Sequence, residues 1–474
     1  MGDISFSVQR ASTSSPEMLW TSLKAGATSG WPILRECREL AVGNPVLFTL
    51  PHPDGGEIDS SGRIVRIEPG RSIRIAQESP WEGSTKLTLT GDDTGTSVRV
   101  DVTLKEDCLP WFLGNASLAT VTASRSVTVP ALKIGLLVSL SGAAGVEGRS
   151  VVNAAILAVE ELNSVGAFGR RHAELVVADD RTSVIAARSA FITLADDERC
   201  DVVIAMITSA SKESVRPLAV ARGTLFLYAA LGERGRGGPN FFQLGETPAD
   251  QLWRSIPTIM RESDASNWYI VGNDYVWPRT VGMVANELIV RNNGRVAGER
   301  YEKLGTTDYD PVIDSIAASG ADLILSSLVG LDAIKFERAF YTSGNRQEFT
   351  TLATLFDDAI ADHIGPTEAS GIWSVAEYFA PTLADEMDDV AARYRARFGE
   401  LAPRLTSVAK STYDVCNLYA QCVQVARSFE PHHISSALRS GAVGSSRLRS
   451  RVQGELTPTQ AVEFTPTGFQ QRTL

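Results

Sequence analysis

The residues LKIGLLVSL (132–140) and VVNAAILAVEELNSVG (151–166) decide the fold class of this chain. The first is an unbroken apolar run and the second carries apolar residues at helical spacing before a closing glycine, so they predict a strand followed by an amphipathic helix. The same order returns in AELVVADD (173–180), SVIAARSAFITLADDE (183–198) and DVVIAMITS (201–209). Apolar strands between helices of this length predict a parallel sheet covered by helices on both faces.

The alternation of strands and helices continues to about residue 381 and is followed by two longer helical segments, 383–399 and 407–428. About ten strands are more than one open twisted sheet comfortably holds. We therefore predict an α/β fold with two lobes, each built on a doubly wound parallel sheet. The last stretch, 451–469, is again strand-like.

The N-terminal part of the chain has a different pattern. Short alternating runs such as PVLFTLP (45–51) and GTSVRVDVTL (95–104) predict antiparallel strands with one solvated face. One helix is predicted after the first strand, with Pro16 in its first turn. We expect a small α+β domain at 1–110 with an antiparallel sheet, followed by a linker at 111–129.

The composition is that of a soluble globular protein, with 43% hydrophobic and 21% charged residues. A net charge of -11 argues against nucleic acid as a direct partner, because phosphate binding needs clustered lysine and arginine. The one arginine-rich stretch, 445–451, is interpreted as a solvated face. No segment is apolar over the ~18 residues that a membrane span requires, so no membrane insertion is expected.

Two features favour the cytoplasm as the location of the protein. The first twenty residues lack the basic stretch followed by an apolar stretch that marks a secretory signal. The 5 cysteines are an odd number and form no Cys-x-x-Cys pair. This usage fits a reducing compartment better than a disulfide framework.

The sequence carries no recognisable catalytic pattern. It has no Gly-x-x-x-x-Gly-Lys-Ser/Thr loop, no Gly-x-Ser-x-Gly turn and no His-Glu-x-x-His pair. Of the 5 histidines only His432 and His433 are adjacent, and no further zinc ligands stand at a suitable spacing. We therefore expect that the protein is not an enzyme and uses neither a cofactor nor a metal.

Four loops at the carboxyl ends of predicted strands are the candidate binding site, because ligands of open α/β sheets lie at that edge. They bring together hydroxyls, backbone N–H groups at helix starts and aromatic side chains, which suit a carboxylate, amide or urea oxygen. The candidates are Ser139, Ile207, Thr208, Ser209, Tyr228, Ala230 and Tyr275. Each also has a structural explanation, since Ser and Thr before a helix are commonly N-caps and a strand-end Tyr commonly packs in a core.

Several segments resemble the amide- and urea-binding branch of the branched-chain amino-acid binding proteins, within the type I periplasmic binding proteins. The most specific is the ordered run GPNFF (238–242), VGNDYVWPRT (271–280), NNGRVAGE (292–299) and LGTTDY (304–309). The opening IGLLVSLSG, followed by AVEELN, agrees with it. The resemblance covers about residues 130–470 and implies two lobes that close on a small ligand.

The resemblance also implies how the chain is divided between the lobes. A type I fold crosses between its lobes three times, and the three crossings form the hinge. Within the domain 130–474 we expect a first lobe from 130–247 and 382–445. The second lobe is then expected from 248–381 and 446–474.

In that family a serine at a helix start in the first lobe meets the polar end of the ligand, and aromatic residues close over it. The residues that match these motifs or line the far wall are Ser209, Tyr228, Tyr275, Val329, Asp332 and Tyr378. The chain departs from the amide-sensing members at Ile207, where they carry Tyr, and at Ala230, where Thr is usual. Two polar contacts are thereby lost, which implies a larger or more apolar ligand than an amide or urea.

Residues 1–105 resemble the activator-of-Hsp90-like, START-related helix-grip family in their order of strand, helix with PEMLW, and strand hairpins. That family ends in a long helix packed across a curved sheet. Residues 106–120 are too short and too interrupted by Gly and Pro to form it, so the domain is expected to be truncated or to borrow a helix.

These features predict a cytosolic sensor that closes on a small polar ligand such as an amide, a urea or an amino acid. Closure would alter its contacts with a regulatory protein or a second copy of the chain. The alternative is the solute-binding subunit of an ABC transporter. A third possibility is an enzyme or lipid-carrying module centred on residues 1–110.

Overall fold

The structure is a computed structural model that describes residues 4–24, 28, 31–37, 39–51, 57–79, 83–92, 95–104, 119–120, 131–233, 237–380, 389–399 and 401–474. Its strands form three sheets, one antiparallel and two largely parallel. The two parallel sheets belong to two α/β lobes, and the antiparallel sheet forms a separate N-terminal domain. The predicted fold class is confirmed.

The strands are β1 (Ile4–Ser12), β2 (Leu34–Cys37), β3 (Pro45–Pro51), β4 (Glu57–Glu68), β5 (Ser72–Ser79), β6 (Gly83–Asp92), β7 (Gly95–Leu104), β8 (Ala119–Thr120), β9 (Leu132–Val138), β10 (Ala173–Asp179), β11 (Val202–Met206), β12 (Phe226–Tyr228), β13 (Phe241–Gln243), β14 (Asn267–Asn273), β15 (Arg295–Glu302), β16 (Leu323–Ser327), β17 (Thr350–Ala353), β18 (Ile372–Ala376), β19 (Gln460–Thr465) and β20 (Gly468–Arg472).

The α-helices are α1 (Pro16–Lys24), α2 (Gly148–Ser164), α3 (Val184–Ile192), α4 (Ser209–Arg222), α5 (Pro248–Ser263), α6 (Val276–Arg291), α7 (Asp310–Ala318), α8 (Gly330–Thr342), α9 (Asp358–Ile364), α10 (Pro366–Ala369), α11 (Asp389–Phe398), α12 (Ser407–Ala426), α13 (Pro431–Arg439) and α14 (Ser446–Gln453). A short 3-10 turn, Gly145–Glu147, precedes α2, and another, Asn345–Glu348, follows α8.

The N-terminal domain is an antiparallel sheet in the order β1-β7-β6-β5-β4-β3-β2, with α1 against one face. Alternate residues of β3, Val46, Phe48 and Leu50, are buried on the face that also buries Leu19 of α1. Their neighbour Leu47 belongs to the apolar core of the second lobe instead, because successive side chains of a strand point to opposite faces. The residues that would form a long closing helix, 105–118, lie outside the described ranges.

The first lobe is built on a sheet in the order β13-β12-β11-β9-β10-β8. Its strands are parallel except for β8, which pairs antiparallel with β10. On one face α2 and α12 pack together and bury residues such as Leu157 and Tyr419. On the other face α3 and α4 bury Phe191 and Val215. Both faces are covered by helices, as the sequence predicts.

The second lobe is built on a sheet in the order β15-β14-β16-β17-β18-β19-β20. The first five strands are parallel and the last two are antiparallel. In β14, Trp268 and Ile270 pack in the core that α5 and α6 cover, whereas Tyr269 and Val271 pack in the core that α7 and α8 cover. Strands buried on both faces explain why the sequence reads as apolar runs without alternation.

The chain crosses between the lobes after β13, after β18 and after α14, and buried polar contacts join the three crossings into one hinge. Arg451 donates to the Leu244 carbonyl oxygen at 2.7 Å and pairs with the Glu377 carboxylate at 2.6 Å. The Thr457 backbone N–H donates to the Asp250 carboxylate at 2.7 Å. Each crossing is therefore bonded to another.

The structure places the last boundary between the lobes after α14, whereas the sequence analysis placed it at residue 445. Leu448 is buried in the core of the first lobe, and α14 contacts β13. This helix therefore belongs to the first lobe, although the sequence assigned it to the second. The arginine-rich stretch was expected to be a solvated face, but Arg451 is only 9% exposed because its guanidinium lies in the hinge.

We expect the free energy of unfolding to fall as the pH rises, because Glu246 is buried at the first crossing. Burial raises the pKa of Glu246 to about 7, and the nearby Glu377 carboxylate adds to the effect. The unfolded chain would titrate near the ordinary value of about 4.3. Between these two pKa values the folded state holds a proton that the unfolded state has lost, so the free energy of unfolding decreases from about pH 4.5 to pH 7.

Thermal unfolding of the full chain at pH 5 and at pH 7.5 tests this expectation, with a higher melting temperature at pH 5. The Glu246→Gln variant cannot ionise, so its melting temperature should depend less on pH in that window. If the melting temperature of the variant changes with pH as much as that of the unchanged protein, the effect comes from other buried acids. One such acid is Asp358, whose pKa burial raises to about 7.

Candidate functional site

A cavity of about 50 Å³ lies between the two lobes, at the carboxyl ends of the parallel strands. Both lobes and the 3-10 turn contribute to its wall. Its lining consists of Val138, Ser139, Ala144, Glu147, Gly148, Val151, Met206, Ile207, Thr208, Ser209, Ala230, Leu231, Tyr275, Trp277, Val329, Gly330 and Leu355. Seven of the ten residues predicted from the sequence are in this set.

The first wall is the loop that begins at Ser139, after β9. The Ser139 hydroxyl donates to the Asp180 carboxylate at 2.7 Å, and the Leu140 N–H donates to the Asp179 carboxylate at 2.8 Å. Ser141 donates its hydroxyl to the other Asp179 oxygen at 2.5 Å. Two acids at the end of β10 therefore fix this loop, and Ser139 reaches the cavity in a position that its neighbours determine.

The second wall is the start of α4. Thr208 is the N-cap and accepts a hydrogen bond from the Ser211 N–H at 3.2 Å, which is the usual role of a threonine before a helix. Ser209 has a different role, because its Oγ accepts a hydrogen bond at 3.0 Å from the Trp277 N–H in the second lobe. The serine predicted to bind ligand thus joins the two lobes directly.

The third wall comes from the second lobe, where Asn273 positions the start of α8. Its side chain donates to the Asp332 carboxylate at 2.6 Å and accepts from the Val329 N–H at 3.0 Å. The Leu331 N–H then donates to the Ala143 carbonyl oxygen of the first lobe at 2.9 Å. A second hydrogen bond therefore spans the cleft, and the described arrangement is a closed one.

Three predicted site residues lie outside the cavity lining. The Tyr228 hydroxyl donates within the first lobe, toward the Ile207 and Leu231 carbonyl oxygens at 2.8 and 3.1 Å. Asp332 is fully buried and accepts from the Gly305 N–H at 2.9 Å as well as from Asn273. Tyr378 packs against the core of the first lobe. Each has a structural role in this arrangement, and contact of these three residues with a ligand stays a prediction.

Glu147, which the sequence analysis did not single out, is the strongest polar feature of the cavity. It is 5% exposed, and its Oε1 has no hydrogen-bond partner among the described residues. Burial raises the pKa of Glu147 well above its ordinary value, and the Asp357 carboxylate of the second lobe raises it further. A buried carboxyl group without a partner is costly, so Glu147 is poised to take a hydrogen-bond donor from a ligand.

Helix N-termini surround the same cavity on the other sides. The helix α4 begins at Ser209, α6 at Val276 and α8 at Gly330. Unsatisfied backbone N–H groups and the helix dipole favour an oxygen acceptor or a negative charge at such positions. The cavity thus combines one buried acid with the starts of three helices.

Ile207 and Ala230 both line the cavity, and both are buried. Their apolar side chains offer no hydrogen bond to a ligand at these two positions. The closed cavity of about 50 Å³ is nevertheless much smaller than the roughly 300 Å³ or more of a site for a drug-sized molecule. A ligand larger than the amides and ureas, which the two substitutions imply, would require the lobes to stand further apart than they do here.

Among the described residues, no group of three or more His, Cys, Asp or Glu side chains is arranged to hold a metal ion. In the same part of the chain no helix has the length and apolar character needed to cross a membrane.

Comparisons with known proteins concern the two lobes. The sequence model of the periplasmic binding protein family matches residues 131–457. A periplasmic binding protein from Burkholderia mallei is structurally similar, with a TM-score of 0.63 at 17% identity over 72% of this chain and 94% of that chain.

Two further solved structures resemble the lobes. One is an ABC-transporter solute-binding protein from R. palustris in complex with benzoate, with a TM-score of 0.63 at 18% identity over 72% of this chain and 95% of that chain. The other is a branched-chain amino acid transporter substrate-binding protein from Streptococcus pneumoniae in complex with isoleucine, with a TM-score of 0.60 at 16% identity over 72% of this chain and 100% of that chain. At these identities the likeness establishes the fold.

Proposed function

Because this chain belongs to the periplasmic binding protein family, we propose that it binds a small organic solute between its two lobes and serves as a solute-binding protein for transport. The observation that carries the proposal is Glu147, a buried carboxyl group without a partner in the interlobe cavity among the described residues. Transport is favoured over sensing because the relatives solved with isoleucine and with benzoate are both transporter components.

The chemistry of the cavity supports a solute with two ends. An N–H or ammonium group would meet Glu147, and a carbonyl or carboxylate oxygen would meet the Ser209 hydroxyl and the N–H groups at the start of α4. Amino acids, amides and ureas all have both ends. The amide- or urea-binding branch therefore remains part of this proposal, although Ile207 and Ala230 reduce the polar contacts available to it.

The protonation of Glu147 separates the solute classes. Because burial and the Asp357 carboxylate raise its pKa, the carboxyl group of Glu147 keeps its proton to a higher pH in the empty cavity than a free carboxyl group does. An ammonium group would stabilise the carboxylate, so its binding should release a proton, whereas a neutral amide would bind without release. Calorimetry in two buffers with different ionisation enthalpies measures this proton release.

A thermal-shift screen of the full chain against amino acids, amides, ureas and short carboxylates is the first test. A solute at a hundred times its dissociation constant adds about 2.7 kcal/mol to the stability of the native state, which raises the melting temperature. For a solute with an ammonium group, Glu147→Gln should weaken binding by about tenfold or more, because a hydrogen bond to a charged group contributes about 1.5–3 kcal/mol. For a neutral amide or urea the loss should be several-fold, because a neutral hydrogen bond contributes about 0.5–1.5 kcal/mol. Ser209→Ala should weaken it several-fold.

Glu287→Gln is the matched control, because Glu287 lies on the outer part of α6 with its side chain 60% exposed. This variant should bind as the unchanged protein does. Equal dissociation constants for the unchanged protein, Glu147→Gln and Ser209→Ala would rule out this cavity as the binding site.

A cytosolic sensor is the second candidate, and the N-terminal domain is the observation that favours it. Its residue Leu47 shares an apolar core with the second lobe, so a further domain is packed on the binding fold. The antiparallel sheet with α1 on one face also supports the proposed relation to helix-grip domains. A sensor would pass the closure of the lobes to a partner through this domain.

A further inference from the structure

The N-terminal domain contacts both lobes of the closed binding fold. Toward the second lobe, Arg338 of α8 pairs with Glu36 of β2 at 2.7 Å, and Arg63 of β4 pairs with Asp362 of α9 at 3.4 Å. These side chains are between 15% and 27% exposed. Leu47 adds an apolar contact with the same lobe, where it is 5% exposed.

Toward the first lobe, the contact is made by β5, which lies against α2. The positive charge of Arg149, in the first turn of α2, acts on the Glu78 carboxylate of β5, which also pairs with Arg63 at 3.1 Å. This contact is electrostatic, whereas the contact with the second lobe includes buried apolar area. The domain cannot keep both contacts when the cleft opens.

Two junctions bring all three parts of the chain together. The Asp362 carboxylate of the second lobe pairs with Arg63 of the N-terminal domain and, at 3.3 Å, with Arg404 of the first lobe. In the apolar core of the second lobe, Leu47 of the N-terminal domain is joined by Val146 of the first lobe. Opening of the lobes would disrupt both junctions at once.

A cavity of about 500 Å³ confirms that the three parts share one interface. Its walls include Thr49 and Ser60 from the N-terminal sheet, Val146 from the first lobe, and Leu331 and Lys335 from the second. Val146 and Leu331 adjoin Glu147 and Gly330, which line the cleft between the lobes. The interface is therefore next to the moving surfaces.

We infer that the N-terminal domain acts as an intramolecular ligand of the closed form: it bridges the two lobes beside the cleft and holds them together. Whatever binds one of two conformations better shifts the population toward it, and the domain makes its contacts with both lobes in the closed arrangement. Docking of this domain would thus slow opening and the exchange of solute. The inference rests on the opening and closing of the cleft but not on the identity of any solute.

Hydrogen exchange of the full chain without solute tests this inference. The Trp277 N–H, in the first turn of α6, has no partner within its own helix and is bonded to Ser209 across the cleft. Its exchange therefore reports opening. We expect the double variant Glu36→Gln, Arg63→Ala to increase exchange in the peptide that contains Trp277 by about fivefold, since each partly exposed ion pair contributes up to ~1 kcal/mol.

Arg66→Ala is the matched control, because Arg66 lies on the same strand and pairs only with exposed Glu68 among the described residues, at 3.1 Å. It should leave the exchange of Trp277 unchanged. If the double variant loses protection throughout the N-terminal sheet, Glu36→Gln alone keeps the pair of Arg63 with Glu78 and makes the same test. Unchanged exchange at Trp277 in the variants overturns the inference, and the solute screen is unaffected by that result.

Discussion

Replacing Gly330 with alanine is expected to prevent the lobes from closing and to weaken solute binding at least tenfold. A Cβ at this position would lie 2.1 Å from the Ala143 carbonyl oxygen of the first lobe. Ordinary contacts begin at about 3.4 Å, and a backbone atom cannot turn away as a side chain can. Since Leu331 bonds to the same oxygen at 2.9 Å, the variant loses that hydrogen bond as well. Loss of the binding-competent conformation lowers the apparent affinity in proportion.

Gly344→Ala separates this effect from backbone strain. Both glycines have a positive φ, 52° for Gly330 and 82° for Gly344, so alanine is strained at either position. A Cβ at Gly344 would meet open space, and this glycine lies at the other end of α8, away from the cleft. Small-angle scattering and calorimetry with a solute from the screen should show closure and tight binding in Gly344→Ala only. Tight binding by Gly330→Ala would contradict the closed geometry.

Replacing Arg451 with alanine is expected to lower the free energy of unfolding by about 3–5 kcal/mol, because it breaks a buried ion pair and leaves the Glu377 carboxylate with only the partly exposed Arg447. The side chain of Arg451 is 3% exposed and pairs with Glu377 at 2.6 Å. Its charge also lowers the pKa of the neighbouring Glu246, against the larger effect of burial. The guanidinium also donates to the Leu244 carbonyl oxygen. Its loss therefore removes the bonds that join the third hinge crossing to Leu244 at the first and to Glu377 at the second.

Arg447→Ala is the control for this prediction, since Arg447 pairs with the same Glu377 at 3.2 Å but its side chain is 34% exposed. An exposed pair contributes about 0–1 kcal/mol, so this variant should remain close to the unchanged protein. Urea unfolding followed by circular dichroism measures both variants. Equal midpoints for Arg451→Ala and Arg447→Ala would show that the hinge does not depend on the buried charge.

Much of the fold follows from local patterns in the sequence. Apolar runs such as 132–140 predict buried parallel strands, and alternating runs predict antiparallel ones. The structure has two largely parallel sheets and one antiparallel sheet, in the parts of the chain where these patterns occur. The chemistry of the loops also predicts where a site should be, because the carboxyl ends of parallel strands lie at one edge. Ser209 and Tyr275, chosen from such loops, both line the interlobe cavity.

Some structural roles could have been predicted from the sequence. Tyr228 is two residues after Phe226 in β12, and both are buried in the core under α3 and α4. The period of two along a strand predicts that shared face. Arg451 could not have been predicted in the same way, because charged residues are seldom buried unless they are paired. Its partner Glu377 is distant in sequence and becomes a neighbour only at the hinge.

The sequence by itself determined the two α/β lobes, the antiparallel N-terminal domain and the edge at which a ligand would bind, since each depends on periodicity over a few residues. Only the tertiary structure decided that Glu147 faces the cleft with no partner among the described residues, that Gly330 touches Ala143, and that the N-terminal domain bridges both lobes. These features join segments far apart in the chain. Their burial and pairing depend on how the lobes come together, which no local pattern specifies.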